Sequence, residues 1–205
     1  IVFVFPGNRE EVKAQRFEYY LKRCVAVAGD VLEIKGGRVF VNGTEYPLPE
    51  HGQFMNWTPE MRALVHENDK VNTFPTGRGW TRDDYGPIRV PKSGDVIALS
   101  EANFDEWAVF IAREGHAVNV ARRTVDGQPI SSYTVERDYV FGMGDNRDNS
   151  LDSRFWGFIP EEDVVGTPMV VYWSWEADDV MSGRRLSLFE RLGTIRWSRL
   201  GTIIR

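Results

Sequence analysis

The sequence holds one cysteine and three histidines in 205 residues. With Cys24 alone no internal disulfide can form, and the thiol reads as a small apolar group. His51, His66 and His116 stand at no spacing that makes a metal set or a serine triad, so each reads as solvated or structural. No apolar run is long enough to cross a bilayer, and no signal peptide is visible. Positive charge is not in excess either. The formal net charge is -5, which argues against broad nucleic-acid binding, because no basic surface replaces the phosphate counterions. Internal repeats and low-complexity tracts are missing too. What remains is ordinary for a globular chain, 42% hydrophobic and 27% charged, enough for one domain or one domain with a large insertion. The opening "IVFVFPGN" has no Met and no polar lead-in. It reads as entering partway along a strand, and predicts further sequence upstream of Ile1.

Short β-branched and aromatic runs punctuated by glycine turns predict a β-rich chain. In "VLEIKGGRVFVNG", apolar residues alternate on both sides of Gly36-Gly37, a pair able to take the positive φ angles of a two-residue hairpin turn. Asn42-Gly43 repeats the signal, and Asp126-Gly127 predicts another turn. From about Leu48 to Gly86 the chain becomes polar, and Pro49, Pro59, Pro75 and Gly77 predict loops within an insertion. "PIRVPKSGDVIAL" and "EWAVFIAREGHAVNVARRTVDG" return to strand texture. So do "YTVERDYVFGMGD" and "VVGTPMVVYWSW". The final stretch, from Gly183 to Arg205, interleaves Leu188, Phe189, Leu192, Ile195 and Trp197 with arginines. It reads either as a tail packed on the body or as an interfacial segment meeting anionic lipid. Gly193 and Gly201 weaken a helix there and favour the packed tail.

The densest chemistry lies in "GDNRDNSLDSRFWG", Gly144 to Gly157. A calcium loop starting at Asp145 puts Ser150 where glycine is required and Trp156 where the closing glutamate is required; a start at Asp148 fails at Ser153 and Ile159. A polar turn held by Asx bonds and ion pairs fits part of it. In an extended segment Asp152 and Arg154 share a side and can pair, with Ser150 beside them. A serine so placed needs a base before it means catalysis. In "EYYLKRCVAVAGD", strand alternation puts Lys22 on one face with Tyr20, Cys24 and Ala26, and Arg23 on the other. Burial there disfavours the charged amine; equally, the side chain can snorkel outward. Lys35, Lys70 and Lys92 sit beside turn residues or charges.

Together, "YYLKRCVAVAGD" and "GDNRDNSLDSRFWG" resemble bacterial type I signal peptidases, which use a Ser-Lys dyad. The second motif matches along nearly its whole length; the first departs at Val27-Ala28, where the family usually has Leu-Pro. "YGPIRVPKSGD" and "IRWSRLGTII" resemble elements of long-insert members. The resemblance implies an all-β fold, a core of antiparallel sheets over 1–35 and 133–205 interrupted by an inserted β-rich subdomain with long loops over 36–132. It implies Lys22 as general base, with Ser150 as the hydroxyl that orients its amine. Gly144, Asp145, Asp152 and Arg154 are implied as site support, and Tyr20, Leu21 and, less closely, Val2 as lining for small-residue substrate pockets. It implies signal peptides of exported preproteins and a membrane lipid surface as partners, and a place at the bacterial inner membrane facing the periplasm. It implies no metal and no organic cofactor. The family's nucleophile stands in a Ser-Met-x-Pro motif. No serine here has that context, Ser100, Ser131, Ser132 and Ser153 included, so the nucleophile is expected upstream. Two alternatives stay open: a self-cleaving Ser-Lys peptidase, and an inactive peptide-binding relative.

Overall fold

The computed structural model describes residues 1–174 and 193–204. It divides into two compact units, 1–166 and 167–205. Among the described residues the first carries all the sheets, and its strands pair antiparallel in each of them. In one sheet β1 (Val2–Val4) lies between β2 (Tyr19–Leu21) and β15 (Val164–Gly166). In a second, β13 (Tyr139–Met143) lies between β3 (Arg23–Val27) and β14 (Ile159–Pro160). The fold is thus mostly β, with few helices.

The largest sheet shows how turn chemistry sets register. Strands β4 (Val31–Lys35), β5 (Arg38–Val41) and β6 (Thr44–Tyr46) form consecutive hairpins, and β7 (Tyr85–Arg89) pairs with the other edge of β4. Gly36 and Gly37 adopt φ of 54° and 79°, and Asn42 and Gly43 adopt 51° and 78°. These are the left-handed values that two-residue hairpin turns require. Alternation then sends Leu32, Ile34 and Val39 into the core. A small sheet of β9 (Val118–Asn119), β10 (Thr124–Val125) and β11 (Gln128–Pro129) turns at Asp126-Gly127. The last pair is β8 (Val96–Ala98) with β12 (Ser132–Thr134).

Two helices stand where the sequence predicts loops or strand. Helix α1 (Pro59–Asn72) falls inside the stretch read as loop. Pro59 does not break it, because it occupies the first turn, where its missing N–H costs nothing. The Thr58 hydroxyl caps the turn by accepting from the Met61 amide at 3.3 Å. Helix α2 (Phe104–Arg113) replaces the strand read from "EWAVFIAR". Its buried Phe104, Ala108 and Ile111 follow helical spacing, which packing rewards over the β preference of its aromatic and branched residues. A third helix, α3 (Ser153–Trp156), is one turn long.

Two apolar clusters result. The larger gathers residues of β3, β4, β5, β7, β13 and α2. The smaller, Phe3, Phe5, Val140, Trp156 and Ile159, packs with Tyr20 and Cys24 between the first two sheets. Each such side chain contributes about 1.5–3 kcal/mol by leaving water. In the second unit, Val170 bridges Ile203, and Trp197–Arg199 form a turn of 3-10 helix. Trp175, residues 183–192 and Arg205 lie outside the described residues.

Candidate active site

Lys22 sits between β2 and β3, half-buried, where the chain passes from the first sheet to the second. Its Nζ donates to Ser150 Oγ at 2.9 Å. The same amine lies 5.5 Å from the centre of the Trp156 ring. Burial lowers the Lys22 pKa, the Asp152 carboxylate opposes that shift, and the Arg154 charge adds to it. The indole face favours a cation by about 0.5–2 kcal/mol, so the lowering is a balance in which desolvation prevails.

The hydroxyl approaches the lysine because the backbone beneath it carries no side chain. A Cβ on Gly144 would stand 2.1 Å from Ser150 Oγ, and one on Gly142 would stand 3.0 Å from Lys22 Cβ. Neither glycine has a positive φ; the constraint is close approach. Gly142 N–H donates to Ser153 Oγ at 3.0 Å, which fixes the strand to α3.

Asp152 and Arg154 pair, although not across an extended segment as the sequence suggests. Asp152 is the N-cap of α3, and its carboxylate accepts the Arg154 amide at 3.2 Å and the Gly144 amide at 3.0 Å. A helix start supplies the unpaired amides that an extended chain would not. The Arg154 guanidinium grips the same carboxylate at 2.9 and 2.8 Å, with both residues almost wholly buried. Burial works to raise the Asp152 carboxyl pKa, but Arg154 and the amides hold it below the ordinary range. Arg154 also donates to the Arg147 and Arg82 carbonyls at 2.7 and 3.2 Å. Losing one member would strand a buried charge, at a cost of about 3–5 kcal/mol.

Asp145 pairs with Arg23 through two bonds of 2.8 and 2.9 Å, and the hydrogen bond from Arg23 lowers its pKa. Tyr20 stacks on Phe5 at 4.4 Å and meets Trp156 edge-on at 5.7 Å. Val2 pairs with Leu21 across β1 and β2, and Leu21 is exposed. The geometry therefore brings Lys22, Ser150, Gly144, Asp152 and Arg154 together, and sets Tyr20 against the indole that the lysine faces. Ser153 is committed to Gly142. Ser100 hydrogen-bonds Asn103. His66 bonds Asp83, and His116 bonds Asp126 and Glu136.

Several supporting residues carry no local signal. Arg62, from α1, pairs with Asp83 and Asp148, and Arg82 pairs with Asp69. Gln53 exchanges backbone bonds with Asp145 and Arg147, and Met55 N–H donates to the buried Asp148 carboxylate. The stretch 51–83 thus straps the Ser150 loop in place. Its partners lie tens of residues away in sequence, so no spacing rule finds them. Trp156 was within reach, as a large aromatic inside the quoted motif. A cavity of about 520 Å³ opens beside Ser150 and Trp156, walled by Asn8–Glu10, by Asn68 and Asn72 of α1, and by Asn149.

A family model described as signal peptidase, peptidase S26, matches residues 1–173. Curated relatives named signal peptidase I include one from Helicobacter pylori, 24% identical over 98% of this chain and 62% of its own length. Another, from Buchnera aphidicola subsp. Schizaphis graminum, is 50% identical over 86% of this chain and 53% of its own length. One from Aquifex aeolicus is 57% identical over 20% of this chain and 16% of its own length. The chain thus spans less than two thirds of the length of these relatives.

Proposed function

Because the chain belongs to the signal peptidase family, peptidase S26, we propose that it forms the catalytic part of a membrane-associated serine endopeptidase that removes signal peptides from exported preproteins. The observation that carries the reading is the Lys22 amine, half-buried and hydrogen-bonded to Ser150 above a buried Asp152–Arg154 pair. An amine kept partly neutral by burial can accept a proton near neutral pH. Ser150 has one lone-pair direction occupied by the lysine and is suited to aim it, not to be attacked.

The nucleophile in this proposal is a serine from outside residues 1–205. Lys22 takes its proton, the alkoxide attacks the scissile carbonyl, and an acyl-enzyme forms. That acyl-enzyme forms as the tetrahedral intermediate collapses, the C–N bond breaking while the protonated lysine gives its proton to the leaving amine; water, deprotonated by the same lysine, then attacks the ester and releases the signal peptide. The substrate runs extended beside β2, with Tyr20, Leu21 and Val2 shaping shallow pockets for small side chains. Residues 36–132 form the insertion, and 1–35 with 133–205 the core. The proposed site of action is the periplasmic face of the bacterial inner membrane. No helix among the described residues is long and apolar enough to cross a membrane. Exposed Tyr172, Trp173, Trp197 and Ile203 supply the kind of surface that an interface with lipid uses.

The test is precursor cleavage by the complete protein. Lys22→Met should abolish turnover while leaving the fold intact by circular dichroism. Retained cleavage overturns the lysine's role, and binding of a signal peptide without cleavage by the unmutated protein favours the inactive relative.

A further inference from the structure

Arg113, the last residue of α2, spends its guanidinium on the main chain. It donates to the carbonyls of Glu11 at 3.0 Å, Trp156 at 3.0 Å, Gly7 at 3.1 Å and Asn8 at 2.6 Å. Among the described residues it makes no ion pair. Burial lowers its pKa to about 10, and Glu11 opposes that shift. A cation held without a paired carboxylate is costly, and here the return is geometric. One planar fork gathers the turn after β1 and the end of α3, adding a polar tie to the Phe5–Trp156 ring contact that already joins them. Gly7, at φ 110°, is the residue that lets its turn present the carbonyl.

Both segments bear on the lysine. The ring of Trp156 faces Lys22 Nζ, and Asn8–Glu10 and Trp156 both line the cavity beside Ser150. We propose that Arg113 is a positioning residue for Lys22: by clamping the Trp156 carbonyl to the 7–11 turn, it keeps the indole over the amine and water away from it. The proposal rests on the lysine-base reading above, and it assigns to the inserted stretch a part in setting that base.

The clamp is tested in the complete protein with Arg113→Met and Arg113→Lys. The Lys22 titration is followed by NMR of lysine carbon-13 ε signals, assigned by their loss in Lys22→Met. The charges facing Lys22 are Asp152 and Arg154, and both are untouched by these variants. In Arg113→Met the Lys22 midpoint should rise by about one unit, because the hydration gained by the amine outweighs the cation-favouring indole contact that is lost. That removes about tenfold of its neutral fraction, and kcat/KM should fall by about the same factor at neutral pH. Arg113→Lys, which keeps the charge but cannot reach all of these carbonyls, should fall between and serves where the methionine variant does not fold. A lowered melting temperature with an unmoved Lys22 midpoint overturns the proposal and leaves Arg113 a merely structural residue. Absence of cleavage in the unmutated protein counts against the function, whereas the titration judges the clamp without turnover.

Discussion

Two buried carboxylates of this fold are held in opposite ways. Asp152 meets a full guanidinium and two backbone amides. Glu114 meets mainly neutral donors: the hydroxyls of Tyr133 and Tyr139 and the Glu136 amide, with Arg137 only at 3.8 Å. Burial, with Glu114 beside them, pushes both tyrosine hydroxyls well above their ordinary range, so they remain donors. Asp152 lies next to a titrating amine and must keep a fixed charge; Glu114 ties α2 to β12 and β13. The charged partner holds Asp152 ionised beside the amine, whereas the hydroxyl partners of Glu114 fix the end of α2 on its neighbouring strands.

The sharpest way to break that contrast is Arg154→Met, which leaves Asp152 buried and unpaired. It should cost about 3–5 kcal/mol by denaturant unfolding, and the double variant Asp152→Leu with Arg154→Met should cost less. Equal losses in single and double variants would remove the pair's claim to be a unit. Tyr133→Phe deletes one neutral donor to Glu114 and should cost about 1–3 kcal/mol. Cleavage per folded molecule should change far less than in the Arg113 variants, since the Tyr133 hydroxyl touches neither Lys22 nor the Arg113 guanidinium.

The smallest effect belongs to His116, at the surface of the Glu114 cluster, where Asp126 and then Glu136 raise its pKa. Its folded pKa exceeds its unfolded one. The stabilisation is therefore complete below about pH 6.5, the unfolded value, and fades as pH rises through the folded value. His116→Gln should flatten that stretch of a plot of unfolding free energy against pH, and an unaltered slope would discharge the histidine from the role.

Much of the fold was legible because its turns are chemical. Gly36-Gly37, Asn42-Gly43 and Asp126-Gly127 declare their φ values in their residue types. The helices were not. Thr58-Pro59 looks like a break until the cap is recognised, and Met61, Leu64 and Val71 of α1 are exposed, so no apolar stripe advertises it. In α2 the spacing of Phe104, Ala108 and Ile111 was readable but was masked by strand-forming residue types. At the candidate site, Lys22, Ser150, Asp152 and Arg154 could be read as neighbours from two motifs. Arg62, Arg82 and Arg113 could not, because their partners are fixed by tertiary packing.

The bond between Lys22 and Ser150 joins residues 128 positions apart. At 5–20 residues per second, a ribosome that has just added Lys22 takes roughly 6–26 s to add Ser150. For that interval the amine has neither its hydroxyl nor the carboxylate and guanidinium beneath it. Closure of so long a loop cannot be an early folding event, because its entropy is offset only after the intervening sheets have formed. The lysine's environment is therefore a property of the finished chain, and a chain ending before Arg154 lacks the Asp152–Arg154 pair that faces the amine.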